Sequence, residues 1–82
     1  MSKLYTSADI EAMIEMLAEQ PVLLGNTTSA SEEGAKSRAR TLRRYLADYD
    51  VMVKTRTWPE FNGESVEWRW CVMLVQEAPN GR

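Results

Sequence analysis

Two apolar spacings alternate along this chain, one with the period of a helix and one with the period of a strand. Ile10, Met13, Ile14 and Leu17 recur at helical intervals while Glu11, Glu15 and Glu19 mark another face, which predicts an amphipathic helix ending before Pro21. Thr6 and Asp9 occupy the two positions of a capping box at its start, and Tyr5 is placed to staple onto Ile10 across that cap. Pro21-Val22-Leu23-Leu24-Gly25 is a short apolar run with room for one brief strand, followed by a polar connector from Asn26 to Ser31. A second box, Ser29-Ala30-Ser31-Glu32, opens a second predicted helix, on which Ala35, Ala39, Leu42, Leu46 and Tyr49 form a narrow apolar seam.

From Asp50 to Glu77 the period falls to two. Val51 and Val53 oppose Lys54 and Arg56, and Val66, Trp68, Trp70, Val72 and Leu74 oppose Glu67 and Arg69. The tip Trp58-Pro59-Glu60-Phe61-Asn62-Gly63-Glu64 contains Asn-Gly, the dipeptide suited to a tight type I′ turn, so the stretch reads as one long hairpin. With Asn62 and Gly63 as the two turn residues, Phe61 faces Glu64, Thr57 faces Trp68, Thr55 faces Trp70, Val53 faces Val72 and Val51 faces Leu74, all on the core face. Met52 then faces Met73, Lys54 faces Cys71, Arg56 faces Arg69 and Trp58 faces Glu67 on the outward face. Pro59 has no amide hydrogen for the ladder, so regular pairing is expected to stop near Trp58. The expected architecture is α+β: two amphipathic helices packed on an antiparallel hairpin, with a short third strand allowed at Pro21 to Gly25.

Eighty-two residues make one small domain, 1–82, and Ala78 to Arg82 reads as a frayed tail. No window approaches the roughly 18 apolar residues that cross a bilayer, and Met1 to Thr6 lacks the apolar run of a signal peptide, so a cytoplasmic protein without membrane contact is expected. Cys71 is a single cysteine set among apolar neighbours and is expected to pack as a small hydrophobe. The chain has no histidine, which excludes Ser-His-Asp and Cys-His catalysis from its own residues, along with imidazole zinc sites. Gly34-Ala35-Lys36-Ser37 lacks the glycines of a phosphate-binding loop. Glu60 and Glu64 are loop carboxylates with no predicted pocket around them. A non-catalytic protein without a cofactor is therefore expected.

With Lys+Arg 10 against Asp+Glu 12, the net charge of -2 means that any basic surface must be local. Two such surfaces are predicted. Lys36, Arg40, Arg43 and Arg44 form a stripe on the second helix, with Arg38 nearby. On the outward hairpin face Arg56 is expected across from Arg69, a like-charge pair costing roughly a few tenths of a kcal/mol, with Lys54 and Trp58 beside it. Glu67 and Trp58 on the diagonals can offset that repulsion internally, or an anionic ligand can do so, with Trp58 stacking on a base.

The order helix, short strand, helix, strand, turn, strand resembles a winged-helix DNA-binding domain. Ser37-Arg38-Ala39-Arg40-Thr41-Leu42-Arg43-Arg44-Tyr45-Leu46 is similar to its recognition helix and the hairpin to its wing, and Ala30 and Gly34 match the small residue and turn glycine of a helix-turn-helix. The resemblance requires Asn26 to Gly34 to supply the preceding helix, and it places Arg40 and Arg43 where the motif takes apolar residues.

The leading expectation is a nucleic-acid-binding or regulatory protein in which Lys36, Arg40, Arg43, Arg44, Lys54, Arg56 and Arg69 meet phosphates and Trp58 stacks on a base. The alternative is a protein-binding module or inhibitor of phage or mobile-element type that acts on a host protein complex, suggested by an acidic first helix set against a basic second helix and hairpin. A homodimer through the hairpin edge or outward face, where Met52, Met73 and Val75 add apolar area, is the third expectation.

Overall fold

The computed structural model describes residues 4–75 of the chain. The elements run α1 (Ser7–Glu19), β1 (Val22–Leu24), α2 (Glu32–Ala47), β2 (Val53–Asn62) and β3 (Ser65–Leu74). The three strands form one antiparallel sheet in the order β1-β3-β2, so β2 is an edge. This is the expected α+β architecture with the third strand present.

Each helix begins at a side-chain cap. Thr6 accepts from the Asp9 amide while the Asp9 carboxylate accepts from the Thr6 amide, which satisfies two free donors at the start of α1. The cap of α2 lies two residues beyond the expected one: Ser31 accepts from the Gly34 amide at 3.1 Å. Ser29 cannot open that helix, because its backbone exchanges two hydrogen bonds with Trp68, at 2.9 and 2.7 Å, and so belongs to the sheet. Gly34 lies in the first turn of α2, where a Cβ would come within 2.1 Å of the Ser29 hydroxyl. No helix forms between Leu24 and Glu32, so the helix-turn-helix implied by the winged-helix resemblance is not built. The element order is that of the resemblance; the helix that would precede the recognition helix is not there.

The core is the predicted one on each helix. Ile10 and Leu17 of α1, and Ala35, Ala39, Leu42 and Leu46 of α2, are buried against Val53, Trp70 and Val72, while Met13, Ile14, Leu23 and Trp68 are half-buried around them. Tyr49 does not join the seam: α2 ends at Ala47, and Tyr49 is exposed in the turn beyond it. Asp50 at φ 62 then swings the chain toward β2, a left-handed position that Asp tolerates better than most residues.

The hairpin register differs from the expected one by two residues. Asn62 pairs with Ser65, so Gly63 and Glu64 form the turn, and Val53 faces Leu74, Thr55 faces Val72 and Thr57 faces Trp70. Gly63 has φ 66 and Glu64 does not take a positive φ, which is the type II′ pattern, with glycine at the first central position. A shift of two leaves every side chain on its predicted face and changes every partner. Arg56 therefore faces Cys71, and the predicted Arg56 and Arg69 pair does not form.

Pairing also runs through Pro59, which faces Trp68, and does not stop there. The Val75 amide donates to the Met52 carbonyl at 3.0 Å, which sets the even-numbered residues of β2 toward β3. Val53, Thr55, Thr57, Pro59 and Phe61 consequently turn their backbone groups to the free edge, where the missing proline donor costs the ladder nothing.

Candidate functional site

Both helices cover one face of the sheet, and among the described residues no element covers the other, which we call the open face. Across the open face, Val22, Met73 and Lys54 form one row, and Leu24, Cys71 and Arg56 the next. Arg69 with Trp58, and Glu67 with Glu60, complete it toward the hairpin tip. Lys54, Arg56, Trp58 and Arg69 therefore share one surface, as expected.

Their roles there diverge. The Arg69 Nε–H donates to Glu60 Oε1 at 2.9 Å, so this guanidinium is held by a carboxylate of its own sheet. That bond also relieves the facing of Glu60 and Glu67. Trp58 is half-buried opposite Arg69, whereas Trp68 and Trp70 lie on the helix side, making Trp58 the one indole of the open face. Cys71 is 3 % exposed beneath Leu24 and Arg56, and burial pushes its thiol pKa upward, an effect that the nearby Arg56 charge partly opposes.

The α2 stripe is oriented by one aromatic contact. Tyr45 meets Tyr5 edge-to-face with ring centroids 5.1 Å apart, so that flank of α2 faces the start of α1. At about 100° per residue, Lys36, Arg40 and Arg43 fall on the opposite flank, with Arg44 on top. Because α2 rests on β2 and β3, with α1 on β1, this opposite flank overhangs the free side of β2. A depression of about 330 Å³ lined by Arg43, Arg44, Ala47, Val51, Met52 and Val53 joins the end of α2 to the start of that edge. Arg38 lies on the other flank, near Tyr5.

The two basic surfaces thus border the same sheet edge from opposite layers. Lys36 is 3.7 Å from Glu32, an exposed pair one helical turn apart. Among the described residues, Arg40, Arg43, Arg44, Lys54 and Arg56 have no carboxylate within ion-pair distance. The acidic counterpart is α1, which carries only carboxylates and lies over the far edge.

Two further features were not legible beforehand. Phe61 is 77 % exposed, because the helix layer ends before the hairpin tip. Val22 and Leu24 lie exposed on the open face, while Leu23 between them turns toward the core; strand alternation through that short run is the signal that could have found them. A depression of about 290 Å³ lies between α1 and β1, lined in part by Asp9, Met13, Met16, Leu23 and Leu24. Among the described residues no group of three acidic or cysteine side chains is placed to hold a metal ion, and no helix is long and apolar enough to cross a membrane.

The chain matches no protein-family model, no curated protein and no solved structure.

Proposed function

We propose that this chain is a small non-catalytic nucleic-acid-binding or regulatory protein that engages phosphates along the β2 edge. One observation carries the reading. In a chain of net charge -2, five cations that have no carboxylate partner among the described residues border a single sheet edge. Guanidinium and ammonium groups concentrated along one edge raise its local potential, and a polyanion relieves it while releasing its own counterions. Arg40, Arg43 and Arg44 supply the helix side of the track, and Lys54 and Arg56 the sheet side, with Lys36 competing for Glu32 and Arg69 committed to Glu60. Arg40→Glu and Arg56→Glu should each weaken binding of a labelled oligonucleotide and flatten its salt dependence. Unchanged affinity in both would refute the reading.

A second reading rests on the opposite edge. The depression between α1 and β1 is bordered by exposed Met16 and Leu24, with Asp9 on its wall and Glu19 on that of the adjoining depression, a combination suited to a basic, apolar protein segment. On that reading the chain is an inhibitor of phage or mobile-element type that docks on a host protein complex. Capture of a partner that survives nuclease treatment, and fails when Glu11, Glu15 and Glu19 are neutralised, supports it.

A further inference from the structure

We propose that the ligand of the β2 edge is a single nucleic-acid strand, running from the open sheet face over the edge onto the basic flank of α2, with a base stacked on Trp58. This rests on the nucleic-acid reading above and narrows it. The cations are divided between two layers, Lys54 and Arg56 on the open face of the sheet and Arg40 and Arg43 on the helix behind it. They therefore surround a convex ridge.

A stiff duplex laid against the domain meets one layer of cations and misses the other. A single strand bends at each nucleotide and can follow both.

The open face supplies what an unpaired base requires. Trp58 is its one indole, two residues along β2 from Arg56. Leu24, exposed, and Met73, half-buried, extend an apolar surface on the same face. Base stacking on an aromatic ring is indifferent to sequence, and it is unavailable to bases already paired within a duplex. Glu67, which has no cation within ion-pair distance among the described residues because Arg69 is held by Glu60, borders the Trp58 row on the tip side and turns a phosphate backbone toward Lys54.

The test compares one mixed sequence of about fifteen nucleotides as single-stranded DNA, as RNA and as duplex, by labelled anisotropy and intrinsic fluorescence together. At least one single strand should bind about tenfold more tightly than the duplex and quench tryptophan emission. Trp58→Phe should retain most of the affinity and lose most of the quench, a separation that a merely structural Trp58 would not produce. Trp58→Leu, checked for folding by circular dichroism, should lose about tenfold in affinity for the strand. Duplex binding equal to or tighter than both single strands overturns the assignment while leaving the nucleic-acid reading intact. Full quenching in Trp58→Phe removes Trp58 from the site, and failure of all three probes to bind overturns both proposals.

Discussion

Salt dependence offers the sharpest test of the basic edge, because its magnitude follows from counting cations. Arg40, Arg43, Arg44, Lys54 and Arg56 are free of carboxylate partners among the described residues. If each neutralises one phosphate of a single strand, log K should fall against log salt with a slope of about -3.5, taking roughly -0.7 per contact. A fourfold rise in salt then lowers affinity about 130-fold. Replacing Arg40 and Arg56 by Gln, one from each layer, leaves three contacts, a slope of about -2.1 and a loss of about 18-fold over the same range. Both side chains are exposed and make no ion pair among the described residues, so replacing them with glutamine should leave the fold unaffected. Anisotropy titrations at four or more salt concentrations give both slopes directly. A wild-type slope near zero, or a slope that the double substitution leaves unchanged, refutes the phosphate track whatever the absolute affinity.

Other consequences are independent of that count. Gly25→Ala places a Cβ 2.2 Å from Trp70 Cε2, and that ring is buried and donates to the Thr27 hydroxyl at 3.3 Å, so it cannot easily retreat. A loss of about 1–3 kcal/mol is expected in urea unfolding, and a variant as stable as the parent would mean that β1 moves freely over β3. Glu60→Gln frees Arg69; because both partners are partly exposed, stability should change by less than about 1 kcal/mol, while the salt slope steepens by about 0.7. Cys71 should react slowly with iodoacetamide in the native protein and quickly in urea, since burial both shields the thiol and raises its pKa. The raised value also has a stability consequence. The folded state favours the protonated thiol, so this contribution is complete below the unfolded thiol's pKa of about 8.5 and is lost as pH rises through the higher folded value. Tyr5, raised chiefly by burial, acts in the same sense at still higher pH. Cys71→Ala should flatten the first part of that alkaline decline.

Local periodicity made the faces of both helices and of the hairpin strands legible in advance. The buried residues of α2 within its helical span are the predicted ones, and each hairpin side chain lies on its predicted face, because helix and strand periods depend only on neighbouring residues. The cap of α1 was equally legible, since Thr6 and Asp9 satisfy each other within one turn. The cap of α2 was not, because Ser29 and Ser31 are both good caps and the choice falls to a bond between Ser29 and Trp68, nearly forty residues away in sequence.

The sequence alone therefore determined the fold class, the core residues of both helices and the identity of the basic side chains. Only the tertiary structure decided which partner each hairpin residue meets, since a register shifted by two preserves the same inward and outward pattern. It also decided that Arg69 answers to Glu60, and that the helix stripe and the sheet cations border one edge. That last arrangement follows from the flank of α2 that faces α1, marked by the Tyr5 contact with Tyr45, and from β1 pairing with β3, which leaves β2 outermost. Both are long-range contacts, and no local pattern of residues can specify where two distant surfaces meet.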